Sequence, residues 1–118
     1  MQGLLAVRTD KTCRLAEQAG LPLVYVDYLA TAPWNYAPFL ARIGGTPRYR
    51  RSGEALMRTA VALSRELGWG GRLGLHALPQ ADSFYARLGM IPLGVDEAYE
   101  SLRYFEMTPE QADRMEDR

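Results

Sequence analysis

The sequence predicts an α/β (α+β) fold, a mixed sheet with helices packed on it, in the order β-β-α-β-α-β-β. Three observations carry this. Leu23 to Thr31 is rich in β-branched and aromatic residues, the composition of a strand. Leu56, Ala60, Leu63 and Leu67 recur at the 3.6-residue spacing of a helix with one apolar face. Around them, short apolar runs alternate with Gly and Pro signals, so strands and helices take turns along the chain.

The elements follow in order. Gly3 to Arg8 is a short apolar strand, and Thr9 to Pro22 is a polar connection in which Arg14 to Ala19 forms one or two helical turns. Leu23 to Thr31 is the second strand, stopped by Pro33. Trp34 to Tyr49 is a long loop holding Pro38, Gly44, Gly45 and Pro47, and a loop of that length in a small domain is more often functional than idle. Gly53 to Leu67 is the main helix, with Ser52 as N-cap, Gly68 just past its end and Arg58, Arg65 and Glu66 solvated. Arg72 to Ala77 is a strand, and Ala81 to Leu88 is a short helix ended by Gly89. Met90 to Leu93 and Leu102 to Met107 are strands joined by the acidic stretch Gly94 to Ser101. Thr108-Pro109-Glu110 opens a terminal amphipathic turn or helix, with Pro at its first position and acids near its positive end.

Composition bounds the rest. With 118 residues, the chain is read as a single domain spanning 1–118. Hydrophobic residues at 47% and charged residues at 24% are a globular balance that argues against disorder. The 14 basic and 14 acidic residues cancel, so no global field draws the chain to nucleic acid. A single cysteine, Cys13, excludes an intrachain disulfide, and with a single histidine, His76, a multi-Cys or His-rich metal centre is excluded, so no metal is expected. No apolar run approaches the roughly 20 residues of a membrane span, and the start lacks a basic, signal-like leader. The expectation is a cytoplasmic protein with no membrane partner.

The sharpest local signal is Tyr49-Arg50-Arg51-Ser52-Gly53-Glu54-Ala55-Leu56. A basic, glycine-containing turn leads into a helix there. Unpaired backbone N–H groups and the positive end of the dipole make such a helix start a phosphate site. Gly53 allows close backbone approach, and Arg50 and Arg51 add charged donors. Two readings stand side by side: a diphosphate cradle, or a well-capped amphipathic helix with basic residues before it. The Gly68 to Gly74 cluster runs from helix to strand with the wrong spacing for a dinucleotide fingerprint, and is an αβ turn.

A second segment, Ala81-Asp82-Ser83-Phe84-Tyr85-Ala86-Arg87-Leu88-Gly89-Met90, changes the weight of the first. Arg50-x-x-Gly53-x-Ala55 resembles the Gln/Arg-x-x-Gly-x-Gly/Ala signature of the GNAT superfamily of acetyl-CoA-dependent N-acetyltransferases. The Ala81 to Met90 run resembles that family's A-x-x-F-Y-x-x-L-G-F segment, and Leu29-Ala30-Thr31-Ala32-Pro33 resembles the strand end before the signature. The two motifs stand in the family's order with a helix, a turn and a strand between them, and the resemblance covers roughly residues 2 to 107.

The resemblance implies a mostly antiparallel mixed sheet with helices on both faces. It implies an enzyme that moves the acetyl group of acetyl-CoA directly to the amine of a small molecule or peptide, without metal. Coenzyme A would lie against Leu29, Ala30, Thr31, Arg50, Arg51, Ser52, Gly53, Glu54, Ala55, Phe84 and Tyr85. Its diphosphate would rest on the amides of Arg51 to Ala55, and its thioester carbonyl on an amide of Leu29 to Thr31. Tyr85 would stand by the sulfur, where a phenol with an ordinary pKa near 10 protonates a departing thiolate. A lysine-like amine is neutral only about one part in 2,500 at pH 7, a deficit of roughly 4.6 kcal/mol. Asp27 and His76 are the candidate bases, each also readable as an ordinary strand residue. Trp34, Asn35 and Tyr36 either line the acceptor side or pack their loop onto the sheet. Two departures stand out. The family's preceding strand, two helices and strand have no counterpart here, so the chain is a naturally short version, a truncated product, or one that borrows the missing wall from a partner subunit, and an open sheet edge favours a homodimer. Leu78-Pro79-Gln80 also occupies a stretch where many relatives carry an Asn. The other reading is a coenzyme A-binding domain without catalysis.

Overall fold

The computed structural model describes residues 4–30 and 47–116. Over them run strands β1 (Leu4–Thr12) and β2 (Pro22–Ala30), helix α1 (Pro47–Glu66), strand β3 (Leu73–Ala77) and helix α2 (Asp82–Arg87). Strands β4 (Ile91–Asp96) and β5 (Leu102–Met107) and helix α3 (Pro109–Glu116) complete the series. The strands form one sheet in the order β1-β2-β3-β5-β4. Its central pair β2/β3 is parallel, and its other pairs are antiparallel. A parallel pair needs a crossover on one face of the sheet, and α1 lies in that connection. The expected α+β class, mixed sheet and element order are therefore observed.

Several bounds differ from expectation. β1 runs four residues past Arg8, because Lys11 and Thr12 still pair with Leu23 and Pro22 beyond an irregularity in register. The connection after it holds a single 3-10 turn, Ala16–Gln18. β4 extends to Asp96. The largest correction concerns α1, which begins at Pro47 rather than at Ser52 and Gly53. Proline suits a first helical position, since its missing N–H would be unpaired there anyway. Ser52 is thus inside the helix and not its cap, and Pro47 to Tyr49 are helix rather than loop. The buried side of α1 is Gly53, Leu56, Met57, Ala60, Val61 and Ser64. Leu67, expected on that stripe, is 42% exposed. The helix closes as expected on Gly68, at φ +83°. The Gly68 amide donates to the Arg65 carbonyl at 3.0 Å and the Trp69 amide to the Ser64 carbonyl at 2.8 Å, a paired C-terminal motif that needs a left-handed residue.

Strand alternation gives the sheet two different faces. Val24, Val26, Leu73, Leu75, Phe105 and Met107 point one way and join Met57, Val61, Phe84, Ala112 and Met115 in one buried apolar cluster. All three helices contribute to that cluster. Helices on both faces, implied by the family resemblance, are not found among the described residues. The reason lies in the strands: their other face carries Tyr25, His76, Tyr104 and Glu106, polar groups that demand hydrogen bonds rather than an apolar helix. The 3-10 turns Ala16–Gln18 and Glu97–Tyr99 lie beyond the strand ends, and side chains from both segments reach this face.

Glu106 shows how that face is held. It is fully buried. Its carboxylate accepts from the Leu15 amide at 3.1 Å, Gln18 Nε2 at 3.1 Å and Tyr104 Oη at 2.7 Å, and also from the Arg14 amide. Two of those donors are backbone amides of the β1–β2 connection, so one carboxylate pins that connection to the sheet. Gly74 completes the packing, because a Cβ there would come within 2.8 Å of Tyr104 Oη.

Candidate functional site

The site is organised by a fault in the sheet. Along β1 and β2, Ala6 pairs with Tyr28 while the next residue, Val7, pairs with Val26, leaving Asp27 as an extra residue. An extra residue bends its strand, raises its twist and disrupts pairing locally. The β2/β3 register runs Val24–Leu73, Tyr25–Gly74 and Val26–Leu75, and then stops, although β2 continues to Ala30 and β3 to Ala77. The two parallel strands thus lose their pairing at the bulge, and the backbone of Leu29 and Ala30 lies on the length of β2 that pairs with β1 but not with β3. Thr31, like Trp34, Asn35 and Tyr36, lies outside the described residues.

On the helical side the two sequence motifs come together. A Cβ built on Gly53 would stand 2.9 Å from Phe84 Cζ. Phe84 is 1% exposed, so its ring fills the space that a side chain at position 53 would need. The absence of a side chain at Gly53 therefore serves helix packing, whatever else it serves. Tyr85 is buried beside it, its ring edge-on to Phe84 at 5.0 Å between centroids and tilted against Phe105 at 5.9 Å. The bounds of α1 change the setting of the expected diphosphate cradle. With α1 starting at Pro47, the amides of Arg51, Ser52, Gly53, Glu54 and Ala55 fall within the helix, where each faces a carbonyl four residues back. The orphan donors of a helix belong to its first turn, which here lies upstream, at and just after Pro47. Ala55 is exposed and Glu54 half-buried.

On the other face, Asp27 and His76 line one hollow of about 420 Å³, together with Tyr25, Leu78, Tyr99 and Glu100. They do not play equal parts. The His76 side chain is 3% exposed and both its ring nitrogens are engaged. Nε2 lies 2.9 Å from Asp96 Oδ2 and Nδ1 lies 2.7 Å from Tyr25 Oη. Its ring stacks on Tyr99 at 4.0 Å and tilts against Tyr104 at 4.9 Å. Asp96 also takes the Arg14 guanidinium at 2.7 Å. The Arg14 hydrogen bond, with that of His76, holds the Asp96 carboxyl down at about 2, so it is an anion that only accepts. Nε2 must then carry the ring proton. Burial is the chief influence on His76 and lowers its pKa against the pull of Asp96. The ring is thus neutral at pH 7, and Nδ1 accepts from the Tyr25 hydroxyl. Burial pushes that phenol up to about 12. The result is a fixed proton-bearing chain, Tyr25 to His76 to Asp96, with Tyr25 at the hollow.

Sequence reasoning found His76 and Asp27 but missed Tyr25, Asp96 and Tyr99. Asp96 ends β4 and is the first acid of a run whose members look alike in sequence. Only the β3-β5-β4 order brings that residue across β5 to the histidine. The turn beyond it is set by Glu100 and Ser101 at φ +57° and +59°, a left-handed pair that is costly for residues other than glycine.

Among the described residues no cluster of metal-ligating side chains occurs, and no helix is long and apolar enough to cross a membrane. Comparison with protein-family models, with curated proteins and with solved structures gives no match to this chain.

Proposed function

We propose that the chain is an acyl-CoA-dependent N-acyltransferase, of the kind its two motifs resemble, with acetyl-CoA as donor and an amine as acceptor. The observation that carries this reading is the bulge at Asp27, where β2 and β3 stop pairing. An extended acyl arm needs a slot with free backbone donors, and an opened parallel pair supplies one. An amide of this length of β2 that is turned toward β3, away from its β1 pairing, is a preorganised donor for the oxyanion that forms as nitrogen attacks the acyl carbon. The C–N bond forms and the C–S bond breaks; the sulfur takes a proton for which Tyr85 is the candidate donor, and the proton shed by the nitrogen restores the Tyr85 hydroxyl. The contact of Gly53 with Phe84 supports the reading further, since it brings the two motifs together.

The opened strand pair supports the thioester end of this reading, and the diphosphate end asks more of the backbone. A diphosphate seated on the amides of Arg51 to Ala55 requires the first turn of α1 to unwind. Without unwinding, it would meet only the amides just after Pro47, which itself has no N–H.

The test is to mix the chain with acetyl-CoA and a panel of primary amines and follow free thiol, with thermal unfolding in coenzyme A alongside. A bound ligand at 100 times its dissociation constant stabilises by about 2.7 kcal/mol. Amine-dependent thiol release supports the transferase. Stabilisation without release leaves a coenzyme A-binding domain, and neither effect overturns both readings.

A further inference from the structure

We infer that the hollow between β2, β3 and the Glu97–Tyr99 turn is a binding site for a small cationic amine, presented as its ammonium to Asp27 and Glu100. The inference of binding stands on the hollow itself, and its role as acceptor pocket rests on the transferase reading.

Four features select that chemistry. The hollow, about 420 Å³, has the volume of a small-ligand site. Two carboxylates, Asp27 and Glu100, stand on its lining, and among the described residues neither forms an ion pair. Leu78 and Leu102 give it an apolar side, suited to the carbon body of an amine. The rings of Tyr25 and Tyr99 also line it, and these rings already hold an ammonium: Lys11 Nζ donates to Tyr99 Oη at 2.9 Å and lies 5.8 and 5.6 Å from the two ring centroids. That is cation–π range. Lys11 is also the competing charge, and it limits the site to ligands that approach from the Asp27 and Glu100 side.

The same hollow can neutralise what it binds. A proton leaving the ammonium passes to Tyr25 Oη as the Tyr25 proton passes to His76 Nδ1. The imidazolium so formed keeps its Nε2–H on the Asp96 carboxylate, which Arg14 holds in place. One proton leaves nitrogen, one arrives at His76, and the Tyr25 hydroxyl exchanges its proton and ends restored. Tyr25 and Asp27 touch the ligand. His76 and Asp96 act through Tyr25 and are positioning residues. The charged and titratable groups around His76 are Asp96, Arg14, Lys11 and the phenols of Tyr25, Tyr99 and Tyr104.

The test is a titration of the amide NMR spectrum with n-butylammonium chloride, using n-butanol and sodium butyrate as neutral and anionic controls of the same length. The expected result is shifts centred on Tyr25, Asp27, Leu78 and Glu100 for the ammonium, at least tenfold weaker for the alcohol and absent for butyrate. The double variant Asp27→Asn/Glu100→Gln, altered only at exposed positions, should weaken the ammonium response at least tenfold. Equal responses to the three probes, or shifts centred elsewhere, overturn the inference. Butylammonium binding in the hollow without thiol release from acetyl-CoA would sustain the site and sink the transferase. Thiol release whose amine KM is unchanged in the double variant would sustain the transferase and sink the acceptor pocket. His76→Gln should flatten the acid limb of the pH–rate profile; an unchanged profile would remove His76 from the proton path.

Discussion

The two faces of the sheet are built by opposite means. The helical face is an apolar cluster in which Phe84, Phe105, Met57 and Val61 exclude water, and its order comes from shape. The other face is organised by hydrogen bonds, with Glu106 pinning the β1–β2 connection and His76 joining β2 to β4 through Tyr25 and Asp96. The same strands supply both, because successive side chains point to opposite sides. The first face stabilises the fold. The second leaves a lined hollow, and Asp27, the extra residue at the bulge, is on its lining.

Substitutions that strike one face at a time should separate these roles. The largest effect is expected for Phe105→Ala on the helical face, a loss of about 3–5 kcal/mol in urea-unfolding stability for a buried aromatic that leaves a cavity. Glu106→Ala on the other face should cost about 1–3 kcal/mol by orphaning buried donors, and hydrogen exchange should rise first at the amides of Arg14 and Leu15. If exchange rises evenly over the whole chain, Glu106 is not a local pin. Gly53→Ala should destabilise by about 1 kcal/mol, the strain against Phe84 exceeding the gain in helix propensity. A more stable variant would remove the close approach of α1 and α2.

The pH dependence belongs to the polar face alone. The pKa of His76 is lowered in the fold, so the unfolded chain binds the proton more readily, and stability should fall as pH drops below about 6.5. The chain has one histidine, so His76→Gln should abolish that step. Asp96 is lowered to about 2, so its contribution is complete above about pH 4 and is lost as pH falls through 2. Unfolding midpoints measured from pH 8 to pH 2 read both. The smallest effect is kinetic: burial pushes the Cys13 thiol up to about 11, so alkylation at pH 8 should be far slower in the folded chain than in urea.

Much of the helical face was legible from sequence, because apolar period and turn residues report it directly. Leu102–Met107 and the end of α1 at Gly68 needed nothing more. The start of α1 was misread because Gly53 resembles a boundary, whereas its small size answers to Phe84, a contact 31 positions away in sequence. Met57, Val61 and Ser64 were overlooked on the buried stripe for a similar reason: several stripes of α1 are apolar, and only packing chooses among them. The hollow was half legible. His76 and Asp27 were found because they stand in strands. Tyr25 and Asp96 depend on sheet order and register, which short-range patterns do not encode.

The opening between the parallel strands is the claim on which the functional account rests. A structure of the chain with a non-reactive thioether analogue of acetyl-CoA tests it most directly. The account predicts the acyl arm between β2 beyond Val26 and β3 beyond Leu75, with its sulfur beside Tyr85 and its acyl end facing the hollow of Tyr25 and Asp27. Strands that stay closed with the analogue bound elsewhere, or no binding at millimolar concentration, would contradict it.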